Sequence, residues 1–343
     1  MARRLTLVPM LLCLCVTAAC GGQTKATTTS RPVTLRLGYF PNLTHAPAIL
    51  GIAGGTFART LGTDVKLETK TFNAGPAAVE ALFANAIDAS YVGPNPAINA
   101  FQKSQGKAIR IVAGATSGGA ALVVKKSITS AADLKGRKLA TPQRGNTQDV
   151  ALRSWLEQNG LKTTLEGGGD VSILPQDNAQ TLETFKTGQI DGAWVPEPWA
   201  TRLVVEGGGK ILVDEASLWP GGKYATTELV VRKQFLDDHP DVVKKLLTAH
   251  VEAIAKAAAD PAGSQTAVNN AIKQITGKAL KEAELSSAWS RLTFTYDPLL
   301  STLQRSAQSA KDLGLLQSAD VNGIADLTLL NEVLRAAGKA PVS

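Results

Sequence analysis

The strongest constraint on the fold is a repeated alternation of strand-like and helix-like segments. Val33–Tyr39 alternates apolar and polar residues, as a half-buried strand does, and Pro76–Asn85 is alanine-rich and helical. Further strand-like segments of this first block lie at 64–70, 87–92 and 109–113. Because strand–helix–strand order places helices on the faces of a sheet, this pattern predicts an α/β fold with a largely parallel sheet.

A second block of the same kind begins at Ala121, and the chain becomes mainly helical beyond Val231. In this block, strands are predicted at 121–125, 137–141, 171–174, 190–195, 211–213 and 227–231. The other predicted helices are 44–57, 96–103, 146–159, 241–259, 264–275, 278–290, 298–313 and 325–337. An ordered body of about 300 residues is long enough for two lobes of ordinary size.

The start of the chain has the pattern of an export signal. Arg3 and Arg4 precede an apolar run from Leu5 to Ala19, which ends in two small residues before Cys20. Such a run is typical of a secretory signal, and its length of about fifteen residues is below the ~20 that a spanning helix needs. A cysteine in this place resembles a bacterial lipoprotein signal. The sequence predicts a signal peptide at 1–19, lipid attachment at Cys20 and a flexible tether at 20–32; the alternative is a simple signal or an uncleaved anchor.

Charge and motifs argue against several functional classes. Removing Arg3 and Arg4 with the signal leaves 34 basic residues against 29 acidic ones, a mild net charge of +5. The basic residues are scattered, so no nucleic-acid partner is predicted. No later segment has the apolar length of a membrane span, which predicts a soluble body. No nucleophile elbow, His-Glu-x-x-His motif or cysteine nucleophile is present, so the sequence predicts neither an enzyme nor a cofactor or metal site.

Five strand-to-helix junctions share one design, in which a strand ends in small or polar residues and a helix begins at once. The junctions are 39–45, 72–77, 92–97, 143–149 and 195–199. In an open α/β sheet, these junctions lie at the carboxyl ends of the strands, where such folds bind ligands. Each helix start offers unpaired N–H groups and the positive end of a dipole. Several converging helix starts therefore predict an anion site that needs no metal.

Several segments together carry a resemblance to a known family. These are Leu37–Tyr39, Val92–Pro94, Ala132–Ala140, Gly145–Asp149, Trp194–Trp199 and Phe235–Pro240. They resemble the substrate-binding proteins of ABC importers, in the nitrate, sulfonate and taurine (NMT1-like) group. The resemblance implies a type II periplasmic-binding-protein fold, in which two α/β lobes joined by a two-segment hinge close on the ligand. Lobe 1 would comprise 33–120 and 227–343, and lobe 2 would comprise 121–226.

This resemblance also implies a function. The chain would be a monomeric lipoprotein, anchored by its lipid to the outer face of the cell membrane, that passes its ligand to an ABC permease and ATPase. The ligand would be a small organic anion, with an aliphatic sulfonate or taurine favoured. Alternatives are nitrate, bicarbonate or a thiamine-pyrimidine precursor on the same fold, or an enzyme related to pyrimidine synthesis, because one fold supports many functions.

Ligand contacts are expected from the junctions and strand ends. The candidate residues are Asn42, His45, Gly75, Gly93, Asn95, Thr116, Ser117, Gln143, Arg144, Asn146, Thr147, Glu197 and Trp199. Asn146 and Thr147 cap a helix and can also grip an anion, and Trp199 can pack on an alkyl chain.

Three of these candidates each have two interpretations. Arg144 either pairs with the anion or is a solvated loop residue. His45 is either a neutral donor to the ligand or a structural histidine. Glu197 either holds the ammonium group of a zwitterion or only stabilises the start of its helix.

Overall fold

The computed structural model describes residues 32–343; the predicted signal peptide, Cys20 and all of the tether except Pro32 lie outside the described residues. The strands are β1 (Val33–Tyr39), β2 (Val65–Thr71), β3 (Ala89–Val92), β4 (Ile109–Gly118), β5 (Ala120–Val124), β6 (Lys138–Thr141), β7 (Ser172–Pro175), β8 (Gly192–Pro196), β9 (Lys210–Asp214), β10 (Ala225–Arg232) and β11 (Leu292–Phe294). Within this part of the chain, no helix combines the length and apolarity needed to cross a membrane.

Helices surround these strands in chain order. The α-helices are α1 (Ala46–Ala53), α2 (Thr56–Leu61), α3 (Gly75–Phe83), α4 (Pro94–Lys103), α5 (Thr147–Gln158), α6 (Asn178–Lys186), α7 (Trp199–Val205), α8 (Lys233–Asp238), α9 (Pro240–Ala259), α10 (Pro261–Thr276), α11 (Glu282–Trp289), α12 (Leu300–Asp312) and α13 (Thr328–Ala336). The helix predicted at 44–57 is divided into α1 and α2, because Gly55 adopts a φ of 68° and interrupts the helical path.

The strands form two mixed sheets. The first sheet has the order β11-β4-β10-β3-β1-β2, and the second has the order β7-β6-β8-β5-β9. In the first sheet β1 is parallel to β2 and β3, whereas β10 runs antiparallel between β3 and β4. In the second sheet β6 is parallel to β7 and β8, whereas β5 is antiparallel to β8 and β9. The α/β class is confirmed.

The prediction of a largely parallel sheet is wrong, because the chain passes from one sheet to the other and returns. It leaves the first sheet at Gly118 and Gly119, whose φ values of 81° and 76° are in the left-handed region. It returns through β10, which therefore enters the first sheet against the direction of its neighbours. Thr226 Oγ1 donates to the Gly118 carbonyl at 2.7 Å, and Tyr224 N donates to Ser117 Oγ at 3.2 Å. These bonds tie the two crossing segments together.

Each sheet is covered by helices on both faces. One face of the first sheet packs against α1, α2, α9 and α13 in a core that includes Leu37, Phe57 and Leu246. Its other face packs against α3, α4 and α12. The second sheet is enclosed in the same way, by α5 on one face and by α6 and α7 on the other. Apolar side chains are thus buried on both faces of each sheet and stabilise it. The residues at the strand ends are not needed for this packing and can form a binding site.

Candidate functional site

A polar cavity of about 20 Å³ lies where the strand ends of the two sheets meet. It is lined by Phe40, Asn42, Thr44, His45, Asn73, Ala74, Gly93, Pro142, Asn146, Thr147, Gln148, Asn178, Pro196, Thr226 and Thr227. We call this space the inner cavity. Its lining contains amides, hydroxyls and backbone, but neither a carboxylate nor a lysine or arginine. Within residues 32–343, no group of three or more His, Cys, Asp or Glu could hold a metal ion.

Four helices of nine residues or more begin at the inner cavity. They are α3, α4, α5 and α6, and the residues that reach the lining from their starts are Ala74, Gly93, Asn146, Thr147 and Asn178. None of the four N-cap residues makes a side-chain capping hydrogen bond. The first N–H groups of a helix have no partner within the helix. These helix starts can therefore donate to an anion in the cavity, with their dipoles adding to the attraction.

Three side chains of the lining hold buried polar atoms without a hydrogen-bond partner. These atoms are Thr147 Oγ1, Asn178 Oδ1 and Thr227 Oγ1. Buried polar groups are nearly always paired in native proteins, because an unpaired one costs about 1–3 kcal/mol. Three such atoms around a single cavity make it a candidate binding site. The two hydroxyls can donate to an anion, and the amide oxygen can accept from a donor on the same ligand.

His45 contributes to the cavity as a neutral ring. Its side chain is buried, and burial lowers the pKa of His45 to about 3. The Nδ1 atom accepts a hydrogen bond from Phe40 N at 3.3 Å, which leaves Nε2 as the N–H donor. The imidazole therefore supplies a dipole to the site and no full charge.

A buried ion pair holds the start of α5 in place. Asp149 accepts from Thr141 Oγ1 at 3.0 Å and from Gly145 N at 2.9 Å, and Arg153 Nε lies 3.0 Å from its carboxylate. Both charged side chains are almost fully buried. This network joins the end of β6 to the first turn of α5 and so fixes where Asn146 and Thr147 point.

The two sides of the site are in contact in this structure. Trp199 Nε1 donates to Asn42 Oδ1 at 2.9 Å, and Asn73 Nδ2 donates to Asp177 Oδ2 at 3.1 Å. A Cβ placed on Gly93 would overlap Thr147 Oγ1 across the cavity. Gly93 therefore allows α4 of the first sheet to approach α5 of the second.

Glu197 lies beside this contact and is engaged by protein groups. Its carboxylate accepts from Thr201 N and Thr201 Oγ1, each at 3.0 Å, and Arg291 Nε lies 3.5 Å away. Arg291 also pairs with Asp214 at 3.1 Å. Burial raises the pKa of Glu197. Its place at the start of α7 is that of a capping residue, and it does not line the inner cavity.

Several sequence-predicted residues meet at the inner cavity. Asn42, His45, Gly93, Asn146 and Thr147 line it. Gly75 begins α3 beside it, where an added Cβ would lie 3.2 Å from Asn146 Oδ1. Trp199 and Gln143 line neighbouring surface depressions, one of which shares Asn42 and the other Asn73 with the cavity.

Other sequence-predicted residues lie elsewhere. Asn95 is two residues beyond Gly93 on α4, which turns its side chain away, and its Nδ2 donates to the Ser306 carbonyl at 3.2 Å. Thr116 donates to the Thr44 carbonyl at 2.6 Å, and Ser117 accepts from Tyr224 in the crossing segments. Arg144 is exposed, with Nη2 at 3.9 Å from Glu166. Like Glu197, these residues position the fold around the site rather than line it.

Sequence reasoning did not single out Asn73, Gln148, Asn178, Thr226 and Thr227, which also line the cavity. Asn73 and Gln148 belong to predicted junctions. Asn178 begins α6 after β7, a sixth junction that the segment 175–178 would have indicated. Thr226 and Thr227 lie at the amino end of the returning strand β10, where a search for strand-to-helix junctions finds no signal.

Known sequences are similar to a large part of this chain. The profile of the NMT1-like family matches residues 28–272. The taurine-binding periplasmic protein of Escherichia coli K12 is 30% identical over 207 residues, which cover 60% of this chain and 62% of that protein. A bicarbonate-binding protein of Synechococcus, CmpA, is 26% identical over 248 residues, covering 64% of this chain and 53% of its own length. The aligned region thus spans little more than half to three fifths of these relatives.

Solved structures share the fold. The alkanesulfonate-binding protein SsuA of Xanthomonas axonopodis pv. citri, bound to MOPS, superposes with a TM-score of 0.71 at 21% identity, covering 84% of this chain and 96% of that one. The nitrate-binding protein NrtA of Synechocystis PCC 6803 superposes with a TM-score of 0.72 at 19% identity, covering 89% of each chain. At such low identity the likeness shows the fold alone.

Proposed function

The chain belongs to the NMT1-like family, and on this premise we propose that it is the extracytoplasmic solute-binding protein of an ABC importer. It holds a small organic anion between its two sheets and delivers it to a permease that a partner ATPase drives. The relatives named for binding taurine, bicarbonate, sulfonates and nitrate support binding rather than catalysis as the role. Cys20 would tether the protein, as a monomer, to the outer face of the membrane.

One observation carries this proposal: three buried, unpartnered polar atoms converge with four uncapped helix starts on one cavity. The helix starts supply N–H donors and partial positive charge. Thr147 and Thr227 supply hydroxyl donors. Since no carboxylate lines the cavity, an anion meets donors and no opposing charge. A neutral ligand would gain much less binding free energy from such a site.

Among anions, an aliphatic sulfonate or taurine fits best. A sulfonate spreads one negative charge over three oxygens, so it can accept hydrogen bonds from both sides of the cavity at once. Nitrate, bicarbonate and a thiamine-pyrimidine precursor are the alternatives on the same site. They differ from a sulfonate in shape and in the number of hydrogen-bond donors. Measuring the binding of each ligand therefore distinguishes them.

The function is tested by thermal unfolding of the full chain in the presence of each ligand class. The panel comprises methanesulfonate, hexanesulfonate, taurine, nitrate, bicarbonate and a thiamine-pyrimidine precursor. A ligand present at 100 times its Kd stabilises the folded state by about 2.7 kcal/mol, which raises Tm by several degrees. We expect the sulfonates to give the largest shifts. Sodium chloride at equal ionic strength is the control, and a flat response to every anion would overturn the proposal.

A Glu197→Gln variant tests whether the ligand is recognised as a zwitterion. Both carboxylate oxygens already have partners in Thr201, and Arg291 lies close by. We therefore expect the ratio of taurine to ethanesulfonate affinity to change less than twofold. Isothermal titration calorimetry of both ligands measures the ratio. A selective loss of taurine binding would instead assign Glu197 to the ligand's ammonium group.

A further inference from the structure

A larger chamber that opens to solvent lies beside the inner cavity. This outer chamber has a volume of about 280 Å³. Its apolar side chains come from three parts of the chain: Phe72 after β2, Leu182 and Trp199 on α6 and α7, and Ile272 and Leu280 on α10 and the loop that follows it. For comparison, an apolar cavity of about 150 Å³ is large enough to hold benzene.

Three asparagines border both spaces. Asn42, Asn73 and Asn178 line the inner cavity and also the outer chamber. Asn42 and Asn73 are held in place by their bonds to Trp199 and Asp177. The two spaces are therefore neighbours that share part of their lining.

A second neighbouring cavity is a weaker candidate for such an extension. It has a volume of about 50 Å³ and lies between α5, α12 and the segment around Trp219. It shares only Thr147 with the inner cavity. The outer chamber is larger and shares three residues with the inner cavity.

The two volumes constrain the ligand. A space of about 20 Å³ holds little more than one water-sized group. It can accept part of the charged group of the ligand but not an organic molecule as a whole. The remainder must lie outside. The neighbouring chamber is lined by two aromatic rings and three aliphatic side chains, together with the charged residues Asp177, Glu183, Arg202 and Lys278.

We propose that the outer chamber is a subsite for the apolar tail of an amphiphilic anion. The inference rests on the proposed function and narrows it: the ligand carries several carbons beyond its charged group, which excludes nitrate and bicarbonate as preferred ligands. Lys278, Ala279 and Leu280, which form one wall of this subsite, lie beyond residue 272, where the family match ends.

The chain length of the ligand tests the subsite. Isothermal titration calorimetry of the full chain is carried out with linear sulfonates from methanesulfonate to hexanesulfonate. Because the chamber is open on one side, each methylene is only partly removed from water, and we expect affinity to rise by about tenfold across the series. The charged group is the same throughout the series. The ratio of hexanesulfonate to methanesulfonate affinity therefore measures the contribution of the tail alone.

An exposed alanine of the subsite provides the variant. Ala279→Asp places a carboxylate on the wall of the outer chamber, and Ala262→Asp makes the same change on an exposed alanine near the start of α10, outside the chamber. We expect Ala279→Asp to reduce the hexanesulfonate-to-methanesulfonate ratio to below threefold. Ala262→Asp should leave that ratio as in the unmodified chain.

The outcomes distinguish a failure of the proposed subsite from a failure of the proposed function. Equal affinities along the series in the unmodified chain would overturn the subsite while leaving anion binding intact. Equal ratios in the two aspartate variants would also overturn it. Binding of nitrate or bicarbonate without binding of any sulfonate would overturn the subsite and the choice of an organic ligand, while leaving anion binding intact. Absence of binding by every anion would overturn the proposed function, and the subsite with it.

Discussion

Replacing Gly93 with alanine is expected to weaken ligand binding at least a hundredfold and to leave the folded state intact. A Cβ on Gly93 would overlap Thr147 Oγ1, and it would also come within 3.4 Å of Thr147 Cβ and 3.5 Å of the Thr226 carbonyl. These atoms face Gly93 across the cavity. The added methyl group therefore holds the first turn of α4 away from the first turn of α5.

Backbone strain is not the cause, because Gly93 has a φ of −71° and a ψ of 160°, which alanine adopts readily. The substitution acts only where α4 meets α5. A ligand that must touch both helices then binds a conformation that is rarely populated. Its apparent affinity falls in proportion to the population of that conformation. A hundredfold loss corresponds to about 2.7 kcal/mol.

Calorimetry with hexanesulfonate measures this loss, and thermal unfolding without ligand checks the fold. Gly168→Ala is the matched control, since an added Cβ there meets only Thr164 Oγ1 at 3.5 Å, far from the cavity lining. We expect the control to bind normally. If Gly93→Ala retained affinity within threefold of the unmodified chain, closure of α4 on α5 would not be part of binding.

The architecture of the site could be predicted from the sequence because it depends on local patterns. Alternating strands and helices indicated the α/β class, and short polar junctions such as 92–97 and 143–149 indicated the helix starts. Parallel strands bring their carboxyl ends to one edge, so residues distant in sequence meet there. The family resemblance is confirmed, and Asn42, His45, Gly93, Asn146 and Thr147 share one cavity. Whether they contact a ligand stays a prediction.

Individual side-chain directions could not be predicted in the same way. Asn95 is only two residues from Gly93, but a helix turns by roughly 200° over two residues, so one residue faces the cavity and the other faces α12. Arg144 is a cation two residues before Asn146, which lines the cavity, and only the fold shows that Arg144 extends toward Glu166. Charge and proximity in sequence are therefore weak guides to which junction residues point inward.

Thr227 illustrates a different limit of sequence reasoning. It lies on β10, a strand that returns from the other sheet, and its position at the cavity depends on long-range pairing with β4. No local pattern distinguishes it from Thr116, its registered partner on that strand. The two threonines are equally buried, yet Thr116 Oγ1 has a partner and Thr227 Oγ1 has none.

This contrast leads to the prediction that Thr227→Val has opposite effects on stability and on binding. Valine has nearly the shape of threonine but lacks the unpartnered hydroxyl. In the absence of ligand, removing a buried unpaired group is expected to raise the free energy of unfolding by about 1 kcal/mol. The same change removes a donor to the anion, and a hydrogen bond to a charged group is worth about 1.5–3 kcal/mol. Binding of hexanesulfonate should therefore weaken by roughly 10- to 150-fold.

Thr116→Val is the matched control, because its hydroxyl donates to the Thr44 carbonyl at 2.6 Å. That variant leaves a buried carbonyl without its partner, so its Tm should fall. Thermal unfolding and calorimetry on both variants give four values to compare. A Thr227→Val protein that is less stable than the unmodified chain, or one that binds hexanesulfonate as well, would show that this hydroxyl does not serve the ligand. A rise in Tm together with a loss of affinity is what a side chain selected for ligand binding at the expense of stability should produce.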